Sequence, residues 1–370
     1  MKWTTNREAL LRPLQLVTGV VERRQTLPVL SNLLVVADEK GVAFTGTDLE
    51  VELVARVGSG VDVTQPGRAT VPARKLADIW RSLPEGASVQ VVSEDDRAIV
   101  RSGRSKFTLA TLPAKDFPAV ETSSSDLEMR LARTDVQRLL ARTAFCMAQH
   151  DVRYFLNGML LEITREQVRT VATDGHRMAL CTLSHPTPSA ADRHQAIVPR
   201  KGVIELTRLL SDGDDGGLVL ALGRNHLRVQ IGDYVITTKL IDGRFFDYEK
   251  VIPRQLRHTV TGDRETLRQA LQRAAILSNE KYRGVRLSLE RDQLTIQANN
   301  PEQEEAEEVV AVDYSGDPLE VGFNVGYLLD VLGVLNTDSV RLLVSDANTS
   351  AIVEGPGAED SVFVVMPMRL

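Results

Sequence analysis

The chain reads as an α+β protein of three repeated domains, each with two helices packed on β-sheets. Two sets of landmarks and one recurring pattern predict it. Strand-like runs open at Asn32, Gly158 and Gly284, each 126 residues after the last. Polar turn pairs, Thr47-Asp48, Thr173-Asp174 and Asn299-Asn300, follow with the same spacing. Around them the order helix, strands, helix, strands occurs three times. A period this long exceeds any solenoid unit, so each copy should own a core.

The first helix of each copy shows apolar residues at three- and four-residue steps: Leu10, Leu14 and Val17; Val136, Leu140 and Met147; Leu267, Leu271 and Ala274. Pro13 predicts that the first of these is kinked or split. Second helices are predicted over 74–83, 200–210 and 325–335. Short alternating strands follow, in the first copy at 88–92, 98–101 and 106–111. A serine-rich stretch near 123–125 and a polar, proline-containing one at 253–258 mark linkers. The predicted domains are therefore 1–125, 126–252 and 253–370.

Composition narrows the function. Hydrophobic residues make up 43% and charged ones 25%, the balance of a globular protein. No apolar run approaches the ~20 residues of a membrane helix. The start, Met1-Lys2-Trp3-Thr4-Thr5, shows no secretory pattern, so a cytoplasmic location is expected. Cys146 and Cys181 read as buried thiols.

A net charge of −6 argues, by itself, against nucleic acid. The charge is unevenly placed. Six helix-containing windows (6–24, 73–83, 134–149, 199–210, 263–283 and 324–336) carry +8, and the remainder −14. Arg12, Arg23, Arg24, Arg74, Lys75, Arg81, Arg142, Arg200, Lys201, Arg208, Arg268 and Arg273 are expected off the apolar stripes, available to phosphate. A ring with such helices inside and acidic sheets outside would attract the DNA backbone without reading bases.

The two ends of the chain are complementary. Glu302, Glu304, Glu305, Glu307 and Glu308 form an acidic run in the third copy. Arg97, Arg101, Arg104 and Lys106, followed by Phe107 and Leu109, make the first copy basic near its last strands. Opposite patches on one chain describe a heterologous, head-to-tail contact, to which Ile276 and Leu277 would add an apolar part.

Enzymatic chemistry finds no support. The histidines at 150, 176, 185, 194, 226 and 258 lack metal-ligand spacing, and no P-loop, dinucleotide or nucleophile-elbow motif is present. Asp174 and His176 suggest an acid–base pair, but Asp-Gly is an ordinary turn pair. No catalytic residue, cofactor or metal is expected.

The string Thr173-Asp174-Gly175-His176-Arg177, with Asp151-Val152-Arg153-Tyr154-Phe155-Leu156-Asn157-Gly158, the run from Ile197 through Leu206, residues 299–308 and the terminal Met366-Pro367-Met368-Arg369-Leu370, closely resembles the bacterial DNA sliding clamp family, the beta subunit of DNA polymerase III holoenzyme. The resemblance runs the length of the chain. It implies three clamp domains per protomer and a head-to-tail homodimer forming a six-domain ring, with helices lining the hole. It implies a non-catalytic processivity factor that encircles double-stranded DNA and tethers the polymerase III catalytic subunit, other polymerases, repair proteins and the clamp loader complex. A peptide-binding pocket is implied at Leu156, Thr173, Gly175, His176, Arg177, Phe246, Lys250, Val251, Asn348, Ser350, Val364, Met366, Pro367, Met368, Arg369 and Leu370. DNA contacts are implied at Arg24, Arg74, Gln149, Tyr154, Arg200 and Lys201, and a dimer seam at Arg97, Arg104, Lys106, Phe107, Leu109, Ile276, Leu277, Glu304, Glu305, Glu307 and Glu308. Two pocket positions depart from the family pattern: Phe246 stands where proline is usual, and Lys250 where arginine is common.

Overall fold

The computed structural model describes residues 1–22, 27–118, 124–187, 190, 193–211, 216–358 and 360–369. The first copy contains β1 (Lys2–Asn6), α1 (Arg7–Val20), β2 (Asn32–Asp38), β3 (Gly41–Thr47), β4 (Val51–Val57), β5 (Val61–Gln65), β6 (Gly67–Pro72), α2 (Ala73–Ser82), β7 (Ser88–Glu94), β8 (Arg97–Ser102) and β9 (Ser105–Ala110). The second contains β10 (Ser125–Ala132), α3 (Arg133–Thr143), β11 (Gly158–Ile163), β12 (Gln167–Thr173), β13 (Arg177–Ser184), β14 (His194–Pro199), α4 (Arg200–Leu210), β15 (Gly217–Gly223), β16 (His226–Ile231) and β17 (Tyr234–Lys239). The third contains β18 (His258–Asp263), α5 (Arg264–Ala274), β19 (Gly284–Glu290), β20 (Gln293–Asn299), β21 (Glu305–Ala311), β22 (Leu319–Asn324), α6 (Val325–Val334), β23 (Ser339–Val344), β24 (Ala351–Glu354) and β25 (Ser361–Val365).

Strands β2, β11 and β19 start at the three positions that the 126-residue period marks, and β3, β12 and β20 end on its turn pairs. Each copy also opens with a strand (β1, β10 or β18) that helical periodicity did not reveal. In β10, Leu127, Met129 and Leu131 alternate with exposed residues, a period-2 signal too short to stand out beside a linker.

Two expectations about helices change. Helix α1 runs unbroken through Pro13, because Pro13 lies on the buried face with Leu10, Leu14, Leu16, Val17 and Val20, and Asn6 caps the start by accepting from the Ala9 amide. Tertiary burial and a good N-cap outweigh the lost backbone bond. Helix α3 stops at Thr143, so Met147 lies beyond a following 3₁₀ turn, Ala144–Cys146.

The first helix of each copy begins with an arginine that reaches the end of the second. Arg7 Nε donates to the Trp80 carbonyl at 3.2 Å, Arg133 donates to Leu210 and Leu209 at 3.1 and 3.2 Å, and Arg264 donates to Thr337 and Leu332 at 2.9 and 3.1 Å. These cations satisfy carbonyls left open at or just beyond a helix C-terminus, where the dipole is negative.

By contact the chain forms two compact units, residues 1–137 with 201–240, and 138–200 with 241–370, so the middle copy is shared between them. The first unit holds a five-stranded sheet, β5-β1-β7-β8-β9, and an eight-stranded one, β10-β15-β16-β17-β4-β3-β2-β6. Trp3, Trp80 and Phe44 meet in its core, with ring centroids 6.1 and 6.2 Å from Trp3. The second unit holds an eight-stranded sheet, β14-β11-β12-β13-β25-β24-β23-β18, and a four-stranded one, β21-β20-β19-β22. All sheet pairs are antiparallel, and copies share a sheet through β17–β4 in one unit and β13–β25 in the other. Both cysteines are free and buried.

Candidate functional site

The Thr173-Asp174 turn builds one side of a cavity of about 380 Å³ within the second unit. Thr173 Oγ1 donates to the Arg177 carbonyl at 2.6 Å and accepts from the Gly175 amide at 3.1 Å. Asp174 Oδ1 accepts from the amides of His176 and Arg177 at 2.9 and 3.0 Å. Gly175 takes φ +88°, and a Cβ there would stand 2.7 Å from the Arg153 guanidinium. The turn is thus held by its own side chains, and the positive φ at its tightest point favours glycine.

Of the residues expected to form a pocket, Leu156, Thr173, Gly175, His176, Arg177, Phe246, Val251, Val364 and Met366 line this cavity, together with Arg153, Phe155 and Met178, which were not expected. Arg153 and Phe155 belong to the same string as Leu156, and Met178 follows Arg177 on β13, so adjacency was the available signal. Lys250 points away from the lining: its side chain is 79% exposed and pairs with Asp247 at 2.9 Å. Asn348, Ser350, Pro367, Met368 and Arg369 are not in the lining either, and Leu370 lies outside the described residues. The tail is tied down on both sides, by the Met366 amide to the His176 carbonyl at 2.9 Å and the Met368 amide to Gly322 at 2.8 Å. Phe246 stacks on Phe245 with centroids 4.9 Å apart, forming an aromatic wall.

Arg177 has its guanidinium committed. It reaches Asp174 at 3.1 Å, Asp330 at 2.5 Å and the Phe145 carbonyl at 2.9 Å, and lies 4.5 Å from the Tyr327 ring. Its donors are occupied inside the chain, so it rigidifies the turn more than it offers charge. Asp174 is equally engaged, by two amides and Arg177, which leaves no acid–base pair with His176. What remains is an apolar recess floored by Leu156, Met178 and Val364 with a flexible methionine at its lip, suited to apolar side chains. Among the described residues no group of three or more His, Cys, Asp or Glu side chains is placed to hold a metal ion.

The expected DNA contacts divide. Arg74, Gln149 and Tyr154 are exposed, Tyr154 at 58%. Arg200 is half-buried and donates to the Met147 carbonyl at 3.2 Å. Lys201 is held by Glu22 and Asp48, so its charge is largely neutralised within the chain. Arg24 and Arg23 lie outside the described residues. Further cations expected to face phosphate are engaged within the chain: Arg142 is buried, Arg208 donates to the Gln15 and Leu16 carbonyls, Arg273 pairs with Glu308 at 2.6 Å, Arg268 with Glu265 at 3.1 Å and Arg81 with Asp78 at 3.1 Å. The six helices still carry 14 basic and 6 acidic residues, a net +8.

The two oppositely charged runs lie on or next to sheet edges. Arg97 lies on β8, and Lys106, Phe107 and Leu109 lie on β9, the last strand of its sheet, with Arg104 in the turn between. Glu305, Glu307 and Glu308 lie on β21, an edge strand of the four-stranded sheet, with Glu304 just before it. Leu109 is buried and Phe107 half-buried, whereas Ile276 is 76% and Val309 57% exposed. Leu277 is half-buried beside Ile276.

Three family models match in tandem: the N-terminal domain of the DNA polymerase III beta subunit over residues 1–121, the central domain over 130–247 and the C-terminal domain over 249–369. The chain belongs to the DNA polymerase III beta subunit family. This beta subunit is 57% identical to the beta sliding clamp of Pseudomonas aeruginosa and 51% identical to that of Escherichia coli, each over 100% of both chains. A crystal structure of the Pseudomonas aeruginosa sliding clamp bound to griselimycin matches it with a TM-score of 0.96 at 57% identity, and the Caulobacter crescentus pol III beta structure with 0.93 at 36%, again over 100% of both chains. The beta subunit is therefore three repeated clamp domains of mixed helix and sheet, and a non-catalytic processivity subunit rather than an enzyme. No helix among its described residues is long and apolar enough to cross a membrane.

Proposed function

We propose that two copies of this beta subunit close head-to-tail into a six-domain ring around double-stranded DNA and tether polymerases to it. The pair of oppositely charged sheet edges, β9 and β21, carries this reading. An edge strand offers unpaired amides and carbonyls, and here one edge is basic and the other acidic, so the two complement each other between copies. Glu304, Glu305 and Glu307 would face Arg97, Arg104 and Lys106 of a second copy, with Phe107, Leu109, Ile276 and Leu277 supplying apolar contact. Glu308 already has Arg273 as partner, so its share is smaller.

The domains are taken as 1–125, 126–252 and 253–370. Helices carrying +8 would line the hole, with Arg24, Arg74, Gln149, Tyr154 and Arg200 nearest the phosphates and Lys201 contributing little beyond its internal pairs. Weak backbone contacts without base readout leave the ring free to slide. Holding power is then topological, and tethering raises a polymerase's effective concentration at the primer end to about the millimolar range. The recess lined by Leu156, Phe246, Val364 and Met366 would take apolar peptide segments of the polymerase III catalytic subunit, other polymerases, repair proteins and the clamp loader complex, in the cytoplasm. No nucleotide or cofactor is needed for any of this.

The test is retention on nicked circular DNA after loading. The ring stays on the circle and leaves when the circle is cut; a protein that remains on linear DNA at the same level is not a closed ring.

A further inference from the structure

Beneath one wall of the pocket lies a buried polar network that the steps above do not use. Glu162, on the buried strand β11, is 2% exposed. Its Oε2 accepts from Arg193 Nε and Gln195 Nε2, both at 2.7 Å, and its Oε1 accepts from the Tyr248 hydroxyl at 3.0 Å. That hydroxyl in turn accepts from Arg169 Nη1 at 2.9 Å, and Arg169 Nε is fixed on Thr182 at 3.0 Å. A carboxylate this deep is stable only while its partners stay in place.

Tyr248 links this network to the pocket. Its ring is 1% exposed and packs in one cluster with Phe245 and Val364, against which Phe246 also lies. It opens the 3₁₀ turn Tyr248–Lys250, with Phe246 two residues before it and Val251 directly after the turn. Both flanking residues line the cavity. Within the turn, Asp247 pairs with Lys250 at the surface, where an ion pair is worth little, and the half-exposed Glu249 lies 3.5 Å from Arg169 and 3.9 Å from Arg193. The wall is therefore anchored to the sheet by the buried Tyr248 hydroxyl, with the more exposed Glu249 pairs reaching the same two arginines.

We infer that Tyr248 and Arg169, through Glu162, are positioning residues of the pocket: they set the separation between the Phe246–Val251 wall and the Met366 lip, and so which apolar side chains fit. The inference rests on the peptide-binding role proposed above. It is tested on the full-length protein by fluorescence anisotropy with a labelled synthetic peptide carrying adjacent leucine and phenylalanine. Tyr248→Phe, which removes only the hydroxyl, weakens binding about five- to tenfold. Arg169→Lys, which keeps the charge but loses the fork, acts in the same direction. Combined with Phe246→Ala, Tyr248→Phe costs little more than Phe246→Ala alone, because both act through one wall; combined with Met366→Ala, on the opposite side, the effects multiply. A merely structural loss would multiply with both. If Phe246→Ala and Met366→Ala leave affinity unchanged, the peptide-binding reading of the pocket fails. If they weaken it while Tyr248→Phe and Arg169→Lys remain within about twofold of the natural protein, or multiply with Phe246→Ala, the positioning role is overturned.

Discussion

A methyl group at position 175 would be strained by a φ of +88° that side chains rarely adopt, whereas the Arg153 guanidinium, 2.7 Å from it, is the end of a half-exposed side chain that can give way. Position 49, one period earlier, has the same kind of backbone at φ +78° but carries leucine, which is 37% exposed. Gly175→Ala should cost about 1–2 kcal/mol locally and weaken peptide binding, whereas Leu49→Gly should be neutral or stabilising by up to about 1 kcal/mol. Thermal scans of both variants check the contrast, and equal shifts in the same direction would refute it. Beside this turn, hydrogen bonds from the Arg153 side chain and amide hold the Asp151 carboxyl down at about 2. A depressed carboxyl stabilises the fold above its ordinary range and loses that contribution as the pH falls through its folded value. The Asp151 carboxyl carbon resonance should thus stay that of the ion at pH 3, where free aspartates are mostly protonated; a midpoint near 4 would show that the pair does not form.

At the scale of elements, the arginines at the first position of α1, α3 and α5 explain why each copy keeps its two helices in register. Arg133 is buried and closes the open carbonyls of α4. Arg133→Ala should leave those carbonyls without a charged donor and cost about 1–3 kcal/mol, read as a lower melting temperature with secondary structure retained; an unchanged transition would show that water replaces the guanidinium. The edge strands make the second prediction at this scale. Reversing Glu304 and Glu305 to lysine should place like charges across the seam and shift sedimentation toward the monomer at low salt, while a profile unchanged from the natural protein would remove those glutamates from the contact. Because Glu308 is engaged by Arg273 within the chain, its reversal also disturbs α5 and is the poorer probe.

For the whole molecule, charge placement matters more than net charge. A total of −6 conceals helices at +8 and a remainder at −14. If the hold on DNA is topological, raising salt should release the protein quickly from linear DNA and scarcely at all from a closed circle. Equal salt sensitivity on both would mean that phosphate contacts, not closure, retain it.

The 126-residue period, the turn pairs, the helix faces and the two charged runs were legible in the sequence, because each depends on local periodicity or composition. Nine of the pocket residues could be named only through the resemblance to a known family, and four of them, Thr173, Gly175, His176 and Arg177, lie in a single turn whose side chains satisfy its own backbone. Only the tertiary structure decided which cations were already committed. Arg142, Lys201, Arg208 and Arg273 look alike in sequence to the exposed Lys75, yet burial, carboxylates or backbone carbonyls far along the chain claim them. It also decided that Pro13 stays inside a helix and that Tyr248 joins Glu162 across 86 residues. Long-range partners carry no local signal, and burial, which gives them their energy, belongs to the folded chain alone.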